Sequence, residues 1–219
     1  MRISIEGNIG SGKSTALARC HSVADCTVFP EPLEEWGEIL DLYFEDKATW
    51  ALPLTLDILR GFHRSYSTAH AIVERSPMTC RYVFTEILRN DVLLRAEDMA
   101  IVEQYMSIFG WEPDAIVYIH VDPSTCLDRI KDRARPGEVD AVTYDELRMI
   151  EHQYEKMFAT HLKHVPIVRL RQRPDELEDA FHARVCESVT TLLNTQPQKK
   201  SGHCTTTSTS TRSGQPSNS

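Results

Sequence analysis

Short apolar runs rich in Val and Ile alternate along this chain with longer segments whose apolar residues recur at helical spacing. The five short runs are residues 2–6, 26–29, 71–74, 115–121 and 166–170. Each is too short for a helix, and such runs are typical of parallel strands buried on both faces. The alternation predicts an α/β fold with a doubly wound, five-stranded parallel sheet. Ligands of such sheets bind beyond the carboxyl ends of the strands.

Local signals mark the starts of two helices. Asp122-Pro123 follows the fourth run, with Asp as an N-cap and Pro in the first helical turn. Thr143 and Glu146 form a capping-box pattern, in which a hydroxyl and a carboxylate each accept from a free helical amide. The apolar residues that follow this box fall largely on one helical face, which predicts an amphipathic helix.

Composition narrows the class of protein. The 219 residues are 41% hydrophobic and 26% charged, which indicates a soluble globular protein and excludes a membrane span or a collagen-like fibre. The net charge of -8 disfavours nucleic acid as a partner, because phosphate binding needs a basic face. The six cysteines form no C-x-x-C pair, so we expect reduced thiols. With the first strand beginning almost at Met1, we expect a cytoplasmic location and no membrane partner.

The character of the chain changes near residue 196. Residues 196–219 contain eleven Ser or Thr, three cations, no acid and no aromatic residue. Such a segment buries too little apolar surface to offset its ordering entropy. We therefore expect one domain over residues 1–195 and a disordered Ser/Thr-rich tail over residues 196–219.

A glycine-rich motif lies between the first strand and the first helix. It fits the pattern G-x-x-x-x-G-K-[ST], in which backbone amides and a helix N-terminus surround phosphate groups. Its lysine reaches the terminal phosphates and its serine ligates Mg²⁺. The residues assigned to nucleotide binding are Gly7, Asn8, Ile9, Gly10, Ser11, Gly12, Lys13, Ser14 and Thr15. The motif predicts ATP and Mg²⁺ as cofactors.

Charged residues directly follow the second and third strands. Glu31 lies between two prolines, which stop the strand and fix a carboxylate at the edge where ligands bind. It is either a solvated turn residue or a base that accepts a proton from an attacking hydroxyl. Glu74 and Arg75 make either a structural ion pair or a Mg²⁺ ligand beside a group that orients an anion or hydroxyl.

A basic cluster of Arg129, Lys131, Arg133 and Arg135 stands out in this acidic chain. It is either a solvated helix face or a lid whose arginines neutralise charge during phosphoryl transfer. Arg133 and Arg135 are two residues apart, so they can converge only if a turn redirects them. Aromatic residues for a base-stacking pocket or for the core are Trp36, Tyr43, Phe44, Trp50, Phe62 and Phe84.

Taken together, these motifs resemble the deoxynucleoside kinase family. The resemblance covers about residues 1–170 and is carried by IEGNIGSGKST, EPLEEW, WALP, ERSPMTCRYVFTE and RIKDRARPGE, in that order. It implies a P-loop kinase fold with a helical surround and a lid. It also implies these roles: Glu31 activates the 5′-hydroxyl, Arg75 holds that hydroxyl and Glu31, Glu74 assists Mg²⁺, Arg133 and Arg135 are lid arginines, Glu138 binds the 3′-hydroxyl, and Trp36 and Phe84 sandwich the base.

The sequence departs from the family at the substrate end. Phe44 stands where the family has a tyrosine for the 3′-hydroxyl, with Tyr43 beside it. Thr55 replaces a glutamine that reads the base edge, and Cys80 falls where deoxycytidine kinase-like members carry an acid. A small uncharged residue at position 80 leaves room for the thymine methyl. We therefore expect thymidine or another pyrimidine deoxynucleoside as the substrate.

Two other functions stay open on the sequence alone. A nucleoside monophosphate kinase, such as a thymidylate kinase, needs extra cations for the acceptor phosphate, which Glu31 would repel. A P-loop regulatory nucleotide-binding protein needs a guanine-reading N-K-x-D segment, which is not seen. A homodimer is the expected assembly, and a cytosolic or virally encoded member of the family fits better than a mitochondrial one.

Overall fold

The computed structural model describes residues 1–21, 26–65, 68, 70–135, 137–173 and 175–195. The predicted tail, residues 196–219, lies outside these ranges. Among the residues described, no helix combines the length and the apolar character needed to cross a bilayer.

The described residues form one five-stranded sheet in which every neighbouring pair is parallel. The strands are β1 (Arg2–Gly7), β2 (Thr27–Phe29), β3 (Ala71–Glu74), β4 (Ala115–His120) and β5 (Ile167–Arg171). Their order across the sheet is β2-β3-β1-β4-β5, so β1 is central and the chain crosses over it between β3 and β4. The predicted fold is confirmed, with strand ends shifted by one residue in several places.

Helices surround this sheet. The long ones are α1 (Lys13–His21), α2 (Leu33–Glu45), α3 (Lys47–Gly61), α6 (Ala96–Phe109), α7 (Pro123–Arg133), α9 (Tyr144–Thr160) and α10 (Glu178–Asn194). The shorter ones are a 3₁₀ turn (Phe62–Ser65), α4 (Pro77–Thr79), a π-helix (Cys80–Phe84), α5 (Thr85–Asn90) and α8 (Glu138–Ala141). Helix α1 contacts α10, and α10 contacts β4.

Both predicted helix starts form as the local sequence indicates. The side chain of Asp122 accepts from the Ser124 amide at 2.9 Å, and Pro123 opens α7. Thr143 and Glu146 make the reciprocal capping box at the start of α9. The apolar face of α9 is buried, including Leu147 and Tyr154, so the amphipathic pattern of this helix is satisfied by packing on the main core.

Packing and register bring the carboxyl ends of three strands together. Ile5 of β1 is level with Glu74 of β3, and Phe29 of β2 is level with Val73. Ile3, Ile5 and Ile72 of these strands are fully buried in the main core. The segments that leave β1, β2 and β3 therefore begin at one edge of the sheet and line one cleft.

Candidate active site

One cleft of about 580 Å³ lies over this edge. Its lining includes these predicted site residues: Ile9, Gly10, Gly12, Lys13, Ser14, Thr15, Glu31, Trp36, Tyr43, Phe44, Thr55, Glu74, Arg75, Cys80, Phe84, Arg133, Arg135 and Glu138. We call the part around Gly12 and Ser14 the loop end, and the part around Trp36, Thr55, Cys80 and Phe84 the aromatic end. Residues from distant parts of the sequence thus share one cavity.

The glycine-rich loop has the backbone that its sequence predicts. Gly10 and Gly12 have φ of 75° and 89°, in the region that side chains rarely adopt. A Cβ at Gly10 would lie 2.5 Å from the Cys126 carbonyl oxygen. Lys13 is buried and donates to the Asn8 carbonyl at 2.8 Å, which places its ammonium over the loop. Burial, and then the repulsion of Arg75, lower the pKa of Lys13 to about 8.

Three of the assigned loop residues hold the loop rather than line the cleft. The Asn8 amide donates to the Leu147 carbonyl of α9 at 2.8 Å, while its oxygen accepts from the Ile9 amide at 3.0 Å. Ser11 is fully buried, and Gly7 is the last residue of β1. The loop is therefore anchored to α9, and the remaining assigned residues form the cleft wall.

A hydroxyl and a carboxylate meet at the loop end. The Ser14 hydroxyl donates to Glu74 Oε1 at 2.9 Å. Hard oxygen donors of this kind suit Mg²⁺, which proteins commonly bind through one or two side chains together with substrate phosphates. The predicted metal residues are thus adjacent and fit such an ion.

Glu31 and Arg75 form the most buried ion pair of the cleft. One guanidinium nitrogen of Arg75 lies 2.6 and 2.5 Å from the two Glu31 oxygens, with the side chains 10% and 11% exposed. Burial opposes the charge of Arg75, but the attraction of Glu31 outweighs it and raises the pKa of Arg75. Arg75 also has φ of 61°, a left-handed conformation that costs about 1–3 kcal/mol outside glycine.

A fully buried carboxylate beneath this pair escaped the sequence analysis. Glu6 of β1 accepts from the hydroxyls of Ser4 and Ser76 on one oxygen and of Thr79 on the other, which also lies 3.2 Å from the Tyr154 hydroxyl. Burial raises its pKa, against the pull of these hydroxyls and of Arg75. The signal in the sequence is that Ser4 and Glu6, two positions apart, lie among the isoleucines of β1.

The two arginines predicted for a lid meet on one carboxylate. Arg133 ends α7, and Ala134 follows in a left-handed conformation with φ of 50°, which turns the chain. Arg133 then lies 2.6 Å from Glu138 Oε2, and Arg135 lies 3.9 Å from Glu138 Oε1. The turn therefore brings together two side chains that a regular helix would separate.

The lid also touches the aromatic end. Gly137 has φ of 74°, and a Cβ there would lie 2.6 Å from Phe44 Cδ2. Tyr43 lies beside Phe44 with ring centroids 5.7 Å apart, and both line the cleft. Burial, and then the charge of Glu146, raise the pKa of Tyr43 to about 12. Phe44 thus supports the lid turn, and Tyr43 is the neighbour that carries a hydroxyl.

The inner wall of the aromatic end is uncharged. The Thr55 hydroxyl donates to the Ala51 carbonyl of its own helix at 2.8 Å, so its proton is already used. The Cys80 thiol is buried, which raises its pKa to about 12. Cys80 is the first residue of the π-helix, and the Thr85 hydroxyl donates to the Cys80 carbonyl at 2.7 Å. The walls are completed by Leu54, Ile58, Phe62 and Leu88, of which the sequence analysis had named Phe62 alone.

At the loop end, the structure gives Arg129 other partners than the sequence predicts, and it adds His182, which the sequence does not predict. Arg129, expected in the lid cluster, instead bonds Gln172 at 3.0 Å and pairs with Glu178 of α10. His182 of α10 is buried against the loop, and a Cβ at Gly12 would lie 2.9 Å from its Nε2. Burial lowers the pKa of His182. No local signal could find it, since it lies far from the loop in sequence.

Comparison with known proteins agrees with the motifs. The family model described as deoxynucleoside kinase matches residues 3–194. The putative kinase protein 029R of Invertebrate iridescent virus 3 is 33% identical over 158 residues, covering 70% of this chain and 80% of that protein. Mitochondrial thymidine kinase 2 of Homo sapiens is 30% identical over 170 residues (70% and 63%). The probable deoxycytidine kinase FPV151 of Fowlpox virus (strain NVSL) is 28% identical over 194 residues (82% and 82%).

Proposed function

Since this chain belongs to the deoxynucleoside kinase family and is an ATP-dependent phosphotransferase acting on deoxynucleosides, we propose that its acceptor is thymidine or another pyrimidine deoxynucleoside. The observation that carries the mechanism is the Glu31–Arg75 pair, which lies in the same cleft as the phosphate loop. A carboxylate held by an arginine at this place suits a hydroxyl acceptor and opposes an acceptor that already carries a phosphate.

In the proposed chemical step Glu31 is the base, and Lys13 lies at the phosphate end of the same cleft. Glu31 takes the proton of the 5′-hydroxyl as the 5′-oxygen bonds to the γ-phosphorus of ATP. The bond from that phosphorus to the bridging oxygen breaks, and ADP leaves. Arg75 contacts both Glu31 oxygens through one terminal guanidinium nitrogen, so it fixes this carboxylate and is proposed to hold the acceptor hydroxyl beside it.

The loop end binds the donor nucleotide. Loop amides and Lys13 surround the phosphates, and Ser14 and Glu74 are the residues that would hold Mg²⁺. When bound, Mg²⁺ would offset the negative charge of the phosphates. Arg133 and Arg135 supply further cations from the lid, and Glu138, which now pairs with both, is the residue proposed to receive the 3′-hydroxyl.

The aromatic end supports the choice of a pyrimidine. Trp36 and Phe84 offer ring faces for stacking, while Thr55 and Cys80 present no charge to the base edge. An uncharged wall does not repel the carbonyl oxygens of thymine, and a cysteine is small enough to leave room for its methyl group. Tyr43 is proposed to contact the sugar in place of Phe44.

The assembly and location stay predictions. We propose a homodimer, the state that the resemblance implies, in the cytoplasm. Exposed Ile101 and Ile108 of α6 are seven residues apart and share a helix face, which suits a contact between two copies. Sedimentation equilibrium at micromolar concentration should give twice the mass of 25.0 kDa, and a single chain's mass would contradict the dimer.

A transfer assay tests the proposed substrate. The purified protein is incubated with γ-labelled ATP and Mg²⁺, and separately with thymidine, deoxycytidine, deoxyguanosine and thymidine monophosphate. We expect label in the 5′-monophosphates of pyrimidine deoxynucleosides, with the highest kcat/KM for thymidine. Preferential labelling of deoxyguanosine would overturn the pyrimidine assignment. Labelling of thymidine monophosphate alone would instead indicate a monophosphate kinase.

A further inference from the structure

The Glu6 carboxylate is a shared anchor for two parts of the cleft. It is fully buried near the end of β1, and hydroxyls from two other segments, residues 76–79 and α9, surround it. Ser76 lies 2.8 Å from Oε1, while Thr79 and Tyr154 lie 2.6 and 3.2 Å from Oε2. Ser4 of the same strand completes the set. Each partner carries a hydroxyl that can donate, and the two carboxylate oxygens have acceptor sites for all of them.

One branch of this network holds the turn that contains Arg75. Ser76 directly follows Arg75 and stands at the N-cap of α4, yet its side chain makes no capping bond and bonds Glu6 instead. Thr79 ties the same short helix to the other Glu6 oxygen. The Arg75 amide donates to the Ile5 carbonyl at 3.0 Å, next to Glu6 in sequence. These bonds restrain the strained conformation that aims Arg75 at Glu31.

The other branch reaches the phosphate loop. The Tyr154 hydroxyl lies 3.2 Å from Glu6 Oε2 and 3.1 Å from the carbonyl oxygen of Gly7, where the loop begins. Tyr154 itself is fully buried in α9, so its ring cannot move away without disturbing the core. Any shift of the Tyr154 hydroxyl would therefore alter its contact with Gly7, where the loop begins.

We propose that Glu6 is a positioning residue that keeps the acceptor-side pair Glu31–Arg75 in register with the phosphate loop on the donor side. The inference rests on the proposed function, in which Arg75 serves the acceptor and the loop serves ATP. Glu6 does not line the cleft and acts only through its partners. The Ser76 branch ends at the acceptor-side pair alone, whereas the Tyr154 hydroxyl faces both the phosphate loop and Arg75. The two branches therefore predict different kinetic effects.

Removing one hydroxyl at a time tests each branch, and replacing the carboxylate tests both together. Ser76→Ala should lower kcat by at least about tenfold, since small misplacements of a reacting group are costly, and leave the KM for ATP unchanged. Tyr154→Phe removes the hydroxyl that faces both the Gly7 carbonyl and Arg75, so it should raise the KM for ATP several-fold and lower kcat as well. Glu6→Gln should do both. Ser188→Ala removes a part-buried hydroxyl that bonds the Arg184 carbonyl and does not line the cleft, so it is the matched control and should change neither constant.

A double-mutant cycle separates positioning from general stability. If Glu6 acts through Arg75, Glu6→Gln should lower kcat far less in an Arg75→Lys background than in the wild type. If the falls in kcat caused by Glu6→Gln and Arg75→Lys multiply fully in the double variant, the inference is overturned. A lower melting temperature with unchanged kcat in Glu6→Gln would overturn it as well. If Glu6→Gln does not fold, the Ser76→Ala and Tyr154→Phe results decide alone. A wild type that phosphorylates no deoxynucleoside contradicts the proposed function instead.

Discussion

At the scale of single residues, the cleft is a set of charges held at fixed distances. Three carboxylates and two cations meet within one buried region: Glu6, Glu31 and Glu74 with Lys13 and Arg75. Glu31 is singled out among them because it is paired with Arg75, lines the cleft and lies at the strand end where an acceptor would enter. Its neighbours adjust charge and position, and Glu31 is the residue that we propose as the proton acceptor.

Glu31→Gln should keep the fold and ATP binding but lower kcat by about 10²-fold or more, the usual scale for a general base. Glutamine keeps the shape of the side chain and loses the proton acceptor. Steady-state phosphoryl transfer gives kcat, and titration with ATP gives the affinity. Glu38→Gln, on the exposed face of α2, is the matched control and should behave as wild type. Near-normal turnover of Glu31→Gln would remove Glu31 from the mechanism.

Cys80→Asp should lower the ratio of kcat/KM for thymidine to that for deoxycytidine by about tenfold or more. A carboxylate at this position accepts from the exocyclic amino group of cytosine and repels the corresponding carbonyl of thymine. Competition between the two nucleosides measures the ratio directly. Cys80→Ser, of similar size and without charge, should leave the ratio nearly unchanged. An unaltered ratio in Cys80→Asp would show that the base edge does not face residue 80.

Local sequence predicted those residues that follow a strand or belong to a contiguous motif. Glu31, Glu74 and the loop were found because the chain itself fixes them at strand ends. Glu6 and His182 were missed because their roles depend on contacts with residues far along the chain, such as Tyr154 for Glu6 and Gly12 for His182. Such contacts arise only when the helices have packed on the sheet.

At the scale of elements, the end of α7 decides where the lid charges go. Helix α7 stops at Arg133 because Ala134 takes a left-handed conformation, and Arg135 lies beyond the helix. Glu138 pairs with both arginines, while Gly137 lets the chain pass close to Phe44. The sequence left a solvated helix face or a lid open here, and the structure adds the carboxylate that pairs with both cations.

Arg133→Ala or Arg135→Ala should cut kcat by about 10²-fold or more, while ATP affinity falls much less. The reason is that the loop amides and Lys13 anchor ATP in the ground state, whereas the lid cations act on charge that spreads during transfer. Lys131→Ala, from the same basic cluster but exposed and outside the cleft, should change neither value. Loss of ATP affinity in proportion to kcat would make the arginines ground-state anchors.

At the scale of the whole molecule, α10 packs beside the first helix of the chain. This helix packs against α1 and β4, and its His182 reaches the phosphate loop, so the C-terminal helix and the N-terminal loop support each other. Val185 and Val189 are fully buried, while Leu192 and Leu193 pack at the margin of the core. Among the residues described, the last ones with a place in the core thus come just before the end of α10 at Asn194.

Two truncations therefore bracket the folded unit, which we propose to be residues 1–195. Removing residues 196–219 should leave the melting temperature and kcat/KM unchanged, because that Ser/Thr-rich segment offers little apolar surface to bury. Removing residues 189–219 also deletes the fully buried Val189, which contributes about 1.5–3 kcal/mol, and the partly buried Leu192 and Leu193, which contribute less. At about 2–4 °C per kcal/mol, the longer truncation should lower the melting temperature by about 5 °C or more. Calorimetry of both variants measures the difference, and a drop of several degrees in the shorter truncation would show that residues 196–219 pack on the domain.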